Sequence, residues 1–386
     1  MESFNFVKIL SVISVFILSL LILFLCTVKS DKKLSNKLFA CYIFLTAINA
    51  SGYFISDTII SVYANLEIFR WTIILLNIPL FYLYVLSLCY DDFRLKIKHF
   101  LHAIPFFIIN LVLFSRIYWT NEIEKNYFFG HHSETSEMIL FQYLMEFQYL
   151  FYIIYIFEVI KKSRKIFIEN YSDSNNSIFK WLFQLTVVFV ISHYFATFKN
   201  LLRYTDYHQL LIFINAFLEI ISLIVTSWVV LKALKYPEFF RGINTKLQLV
   251  NDFGAKPILE AKEKKNIKNI TINIQIELLR KYIINEKPYL NSSLTIQDLA
   301  TQMNMPVRDL SILINSNMNH HFFDFVNQYR IENAMELLRN HCKSDFTVLE
   351  ILYKVGFNSK SSFNTAFKKH TALTPTEYRN KFSKIN

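Results

Sequence analysis

The chain has 386 residues, 53% of them apolar, 17% aromatic and 18% charged, with a formal charge of +11 and five glycines. A soluble domain of this length carries about 25% charged residues and about 7% glycine, so a single soluble globule is excluded. Gly52, Gly130, Gly242, Gly254 and Gly356 stand too far apart for a G-x-G-x-x-G or Walker loop, which removes kinases, ATPases and Rossmann enzymes. Cys26, Cys41 and Cys89 lie in apolar runs and Cys342 stands by itself, so there is neither a C-x-x-C pair nor a disulfide framework.

In chain order, seven apolar runs approach or exceed the roughly 20 residues that cross a bilayer: about 9–28, 38–58, 67–90, 99–119, 139–160, 179–199 and 208–231. The first reads as a span and not a signal peptide, because its uncharged core is long and Cys26-Thr27-Val28 is a poor cleavage site. Loops after the first, third and fifth runs carry Lys29, Lys32, Lys33 and Lys37, then Arg94, Lys96 and Lys98, then Lys161, Lys162, Arg164, Lys165 and Lys180. The loop after the second run has no Lys or Arg. That after the fourth mixes Arg116 and Lys125 with Glu122, Glu124, Glu134 and Glu137, and that after the sixth has Lys199 and Arg203. By the positive-inside bias the N-terminus faces outward and everything after residue 231 is cytoplasmic. The expected setting is an inner membrane, crossed seven times.

Polar residues inside the runs are the leads to chemistry in this half. Glu146 and His193 lie about seven residues from the assigned outer ends and Glu219 about ten, which at 1.5 Å per residue is a comparable depth. Asn77 and Asn110 fall near the same level, and Glu158 lies deeper in the fifth run. Ionisable groups in spans rarely face lipid, so the five are expected to line a polar pocket open to the outside, for a signal ligand or proton; the alternative is that they tie helices together by hydrogen bonds. Phe39, Tyr42 and the other aromatics read as membrane packing and interfacial belt. His131-His132 with Glu134 and Glu137 is a weak metal pattern, because adjacent histidines in a loop share no face. No metal or cofactor is assigned.

Residues 232–386 hold 23 Lys and Arg against 14 Asp and Glu, a basic segment suited to nucleic acid or anionic lipid. About 232–274 reads as a connector, with Pro237, Gly242, Gly254, Pro257 and the run Lys262-Glu263-Lys264-Lys265. From 275 to 386 short amphipathic helices follow one another. Thr295 caps a helix reinforced by Asp298 that buries Ile296, Leu299, Ala300 and Met303; Asn304-Met305 turns, and Pro306 opens a second helix burying Leu310, Leu313 and Ile314. After a connecting helix over about 323–340 the pattern repeats. Thr347 and Glu350 open one helix, Gly356 turns the chain, and a helix from near Ser359 buries Phe363 and Phe367. A last short helix begins at Thr374-Pro375.

These residues carry a resemblance. Glu286-Lys287-Pro288-Tyr289-Leu290, the run Phe325-Val326-Asn327-Gln328-Tyr329-Arg330-Ile331, Gly356-Phe357 with Ser362-Phe363 and Phe367-Lys368-Lys369, and Thr374-Pro375 with Tyr378-Arg379 occur in order. Residues 280–382, roughly a quarter of the chain, resemble the DNA-binding domain of the AraC/XylS family of bacterial transcription regulators. The resemblance implies two helix-turn-helix units on a linking helix, entering successive major grooves about 34 Å apart. It implies double-stranded DNA as partner, base reading by Arg308 and Ser311 in the first unit and by Lys360, Ser361, Asn364 and Thr365 in the second, and phosphate contacts from Lys368, Lys369, Arg379 and Lys381. Arg308 is the strongest base reader, since a guanidinium bonds guanine in bidentate fashion.

Three positions depart from the family pattern. Asn319 stands for a glycine after the first reading helix, and Asn tolerates the left-handed cap. Ala372 replaces the corresponding glycine after the second, where a left-handed residue costs about 1 kcal/mol, so that helix end is expected to differ. Leu352 stands for a small alanine, which implies looser packing of the second unit.

The expected architecture is thus all-α, a seven-helix transmembrane bundle (1–231), a connector (232–274) and an AraC-type domain (275–386). A signal at the bundle would change the orientation or pairing of the DNA domains through the connector, and a homodimer is expected because one domain makes few contacts. The rivals are a membrane receptor or transporter whose tail docks a protein, and a membrane enzyme resting on Glu146 and Glu219. Neither accounts for two ordered helix-turn-helix units.

Overall fold

The computed structural model describes residues 2–28, 33–90, 92–131, 135–172, 177–202, 208–235, 262–340 and 346–382. The connector positions 236–261, with Pro237, Gly242, Gly254 and Pro257, lie outside the described residues, as do Lys29, Lys32, His132, Glu134, Arg203 and Cys342. What is described is all-helical, with no strand; Tyr171 and Thr295 form an isolated antiparallel bridge.

The chain divides into two compact units, one of residues 1–161 and 178–244, the other of 162–177 and 245–386. The first contains α1 (Glu2–Thr27), α2 (Lys33–Thr72), α3 (Asn77–Cys89), α4 (Ile104–Leu113), α5 (Glu122–His131), most of α6 (Ser136–Asn170), α7 (Ser177–Leu202) and α8 (His208–Lys235). Seven helical stretches are long and apolar enough to cross a membrane: Phe6–Thr27, Lys33–Ile55, Tyr63–Cys89, Ile97–Tyr118, Ser136–Asn170, Ile178–Leu202 and Phe213–Lys232. Each overlaps one of the seven expected runs.

The third stretch starts earlier than hydropathy suggested. α2 breaks at Tyr63 (φ −138°, ψ 62°), and the following residues already belong to the apolar stretch that ends at Cys89. Glu67 and Arg70, near the start of the expected run, lie inside it, with Glu67 fully buried. Arg70 Nε donates to Glu67 Oε2 at 2.8 Å and Nη1 to Asn49 O at 3.0 Å, while Trp71 Nε1 donates to Glu67 Oε1 at 2.8 Å. A buried pair with its remaining donors and acceptors engaged is tolerable where a lone charge is not. Gly52 lies beneath the guanidinium, where a Cβ would collide with it. Aromatic packing is dense, with Phe39 stacked on Tyr84 at 4.6 Å and Tyr42 against Phe81 and Phe189.

The second unit holds α9 (Lys262–Glu286), α10 (Ile296–Gln302), α11 (Val307–Ile312), α12 (Phe322–Asn340), α13 (Val348–Lys354), α14 (Lys360–Thr371) and α15 (Pro375–Phe382). It has two cores. Leu279 and Ile283 of α9, Ile296, Leu299 and Ala300 of α10, then Leu310, Leu313 and Ile314 close the first against Phe322, Phe325 and Val326. Ile331, Ala334 and Leu338 on the second half of α12 close the other, with Ile351, Leu352, Val355, Phe363, Phe367 and Tyr378. One amphipathic helix therefore lends its first half to one core and its second half to the next. Besides these helices, the unit takes in residues 162–172 at the end of α6.

Candidate nucleic-acid interface

Each helix-turn-helix unit is set by the same local grammar. Thr295 Oγ1 accepts from Asp298 N at 3.2 Å while Asp298 Oδ2 accepts from Thr295 N at 2.9 Å. Thr347 and Glu350 repeat this at 3.1 and 2.7 Å. Both are reciprocal capping boxes that satisfy N–H groups a helix start leaves open. The bonds from the Thr347 N–H and hydroxyl hold the Glu350 carboxyl below its ordinary value, and those of Thr374 do the same for Glu377.

The turns correspond as well. Asn304 sits at φ 51° in the first unit and Gly356 at φ 92° in the second, and Met305 N and Phe357 N donate back to Ala300 O and Leu352 O at 2.9 and 3.1 Å. Only at Gly356 is there a close approach: a Cβ would come within 2.5 Å of Tyr289 O and 2.8 Å of Leu290 O. The helix-end positions also match. Asn319 takes φ 53° and Ala372 φ 62°, so Ala372 adopts the left-handed cap that glycine would, and the end of α14 keeps its form. Leu352 is fully buried in the second core.

The two reading helices differ in presentation. α14 is a regular helix capped by the Ser359 side chain, and it exposes Lys360, Ser361, Thr365, Lys368 and Lys369, with Asn364 half-buried. Lys369 Nζ meets Asp324 Oδ1 of α12 at 2.6 Å. In the first unit Pro306 is the cap residue and α11 begins at Val307, then passes into a π-helical turn, Leu313–Asn317. Arg308 is exposed, but Ser311 is 2% exposed. Lys381 is exposed, whereas Arg379 is buried, with Nε and Nη2 lacking hydrogen-bond partners. Of the residues expected at DNA, Ser311 and Arg379 are buried in this arrangement and are not presented at the surface.

A residue whose role the sequence did not announce sits between the units. Arg330 of α12 is 1% exposed. It donates from Nε to Tyr289 O (2.7 Å), from Nη1 to Asn327 Oδ1 (3.2 Å) and Ser172 O (2.8 Å), and from Nη2 to Asn291 O (2.7 Å) and Ser172 Oγ (3.0 Å). Its guanidinium also lies 5.5 Å from the Phe357 ring centroid. The run Tyr329-Arg330-Ile331 was visible as motif; its partner Ser172, 158 positions away, left no sequence signal.

Among the described residues, the polar groups of the apolar helices do not gather into one pocket through hydrogen bonds. Glu146 binds His193 Nε2 and Thr197 Oγ1, each at 2.9 Å, and Tyr149 stacks on His193 at 3.4 Å. Asn110 bonds Thr72, Phe106 O and Tyr118. Asn77 and Glu219 each keep a buried side-chain oxygen without a partner. A separate cavity of about 380 Å³ is lined by Arg116, Ile117, Thr120, Glu124, Tyr127 and Phe128 among others, and by none of those five residues. Of the weak metal pattern, His131 stacks on Tyr127 and Glu137 pairs with Arg116 at 2.8 Å.

Residues 299–381 match a family described as Helix-turn-helix domain. The HTH-type transcriptional activator RhaS of Mannheimia succiniciproducens is 27% identical over 161 residues, covering 35% of this chain and 59% of the relative. The HTH-type transcriptional regulator AlkR of Acinetobacter baylyi is 30% identical over 94 residues, covering 24% and 28%. The chain thus spans less than two thirds of either relative's length. Among solved structures, the C-terminal domain of the two-component response regulator yesN from Fusobacterium nucleatum is 32% identical, with 27% of this chain and 97% of that chain covered and a TM-score of 0.24.

Proposed function

Because the chain carries an AraC-type helix-turn-helix domain at its C-terminal end, we propose that it is a membrane-anchored transcription regulator whose apolar bundle controls a DNA-reading tail. The observation that carries this is α12, one helix shared by two cores, with a capped helix-turn-helix on each. Such a bridge sets two reading helices for successive major grooves. Arg308, Lys360, Ser361, Asn364 and Thr365 are the side chains placed for base edges. Lys368, Lys369 and Lys381 supply phosphate contacts, which give affinity and salt dependence without sequence information.

The seven long apolar helices anchor the chain in the inner membrane, with the N-terminus outside and the DNA domain in the cytoplasm. The alternation of basic loops supports this orientation. A signal reaching the bundle shifts it between two packings; the Glu146–His193–Thr197 cluster is the ionisable contact placed to respond, and Glu146→Gln is expected to blunt a reporter's response to its signal. A second copy doubles the DNA contacts.

Binding of a fragment, residues 270–386, to the DNA upstream of its own gene tests the reading; both cores close within this stretch. Selective binding that weakens steeply with salt is expected. Absence of selectivity, also from a dimerised fragment, would overturn it in favour of a tail that docks protein.

A further inference from the structure

We infer that the end of α6 and the two residues after it, 162–172, are an autoinhibitory wedge that meets the Ser311–Asn315 face of the first helix-turn-helix unit and is latched there by Arg330. The inference rests on the reading above, that the chain anchors a DNA reader in a membrane.

The wedge begins with length. α6 runs unbroken for 35 residues, about 52 Å at 1.5 Å per residue, whereas about 20 residues cross the hydrocarbon layer. Its surplus starts in the basic stretch Lys161, Lys162, Arg164 and Lys165 and ends at Glu169 and Asn170, both buried. Glu169 O accepts from Asn315 Nδ2 at 3.5 Å. That Asn315 amide also donates to Ser311 O and Oγ at 3.1 and 3.2 Å, and Ser311 and Asn315, four apart, share one helix face. The burial of Ser311 thus coincides with the arrival of α6 on the face that is to meet bases.

The latch follows immediately. Ser172 is fully buried; its N–H and hydroxyl both donate to Leu294 O, at 3.1 and 2.7 Å, and its carbonyl and hydroxyl oxygens each accept from Arg330. Tyr171 pairs with Thr295 beside it. These contacts are reversible by construction. The first core closes without any residue of 162–172, so departure of the wedge leaves that core assembled and exposes chiefly Ile166 of the wedge itself. Arg330 keeps Tyr289 O, Asn291 O and Asn327 Oδ1 when Ser172 leaves, and water satisfies the two N–H groups released. While the wedge is seated, α14 is presented, whereas in the first unit Arg308 stays exposed and Ser311 is buried. Since α6 is continuous, movement of its apolar part is carried directly to Glu169 and thence to the latch.

The test uses the full chain in nanodiscs, with its four native cysteines replaced by alanine and Tyr171→Cys and Thr295→Cys introduced. Residues paired across an antiparallel bridge have Cα atoms about 4.5–5.5 Å apart, within disulfide range. A target duplex is first selected from a random-sequence pool, on the reduced double-cysteine chain and on a Ser172→Pro chain, which lacks both latch donors. The oxidised chain is expected to bind that duplex about a hundredfold more weakly than its reduced form, as when one of two linked binding modules is lost, with protection retained only over the half read by α14. Ser172→Pro is expected to bind more tightly than the unsubstituted chain. Equal affinity and full protection in oxidised and reduced forms would overturn the wedge and leave DNA reading intact, as would failure of the disulfide to form on oxidation. No enriched sequence from either chain would remove DNA reading itself, and the inference with it.

Discussion

The two helix-turn-helix units are near copies in local chemistry and differ in what surrounds them. Both have a reciprocal Thr–carboxylate capping box, a positive-φ turn and a positive-φ helix end. Yet the first meets the end of α6 at Asn315, while in the second the turn glycine meets the backbone of the first unit. Local sequence therefore sets the shape of each unit, and long-range contact sets what each unit packs against.

The largest expected difference lies at the turns. Gly356→Asn installs in the second unit the residue its twin uses, and should destabilise fragment 270–386 by about 3 kcal/mol or more, because the new Cβ strikes backbone oxygens that cannot swing away. Asn304→Gly should stay within about 0.5 kcal/mol. Urea unfolding of both variants measures the gap, and equal losses would mean the close approach at Gly356 does not exist in solution. Next, Arg308→Ala should weaken selective binding by about 1 to 3 kcal/mol and leave nonspecific binding nearly unchanged. Titrations against operator and random duplex separate the two, and an equal loss on both would assign Arg308 to phosphate.

The caps should behave alike. Thr295→Ala and Thr347→Ala are each expected to cost about 1 kcal/mol. In the second unit the stability contributed by Glu350 is present above its unfolded pKa and lost as the pH falls through the depressed native value. An acid titration of stability should therefore flatten in Glu350→Gln; an unchanged slope would show that the carboxylate is not held by Thr347. The smallest effect expected is a gain. Ala372→Gly relieves a left-handed alanine at φ 62° and should raise stability by up to about 1 kcal/mol, whereas Asn319→Gly should do less. A thermal melt showing no gain for Ala372→Gly would mean that the end of α14 relaxes in solution.

Much of this was legible in sequence. The seven apolar helices followed from run length, and α10, α11, α13 and α14 from caps and spacing that act within four residues. What escaped depends on partners far away in the chain. Residues 63–66 fell outside the expected third run, and nothing in the run itself showed that Glu67 and Arg70 at its start neutralise each other inside. The burial of Ser311 was not legible in the spacing, nor was the contact of its neighbour Asn315 with Glu169, 146 positions away. Arg379 was given a phosphate role by the resemblance, which carries no information on how deeply this side chain packs in the second unit. The polar residues of the apolar helices were expected at one depth, but depth does not give azimuth, and the hydrogen bonds of Glu146 and Asn110 fall into separate groups.

The contact at Gly356 has a bearing on the DNA itself. With backbone against backbone, and no side chain between to compress or rotate, the distance between the two reading helices has little play. A target whose half-sites are moved by one inserted base pair is displaced 3.4 Å along the axis and rotated by about 35°. The protein has no slack with which to follow, so the duplex must untwist or the second unit must let go. On the DNA reading proposed above, the phasing of half-sites, and not only their letters, should decide which sites are bound.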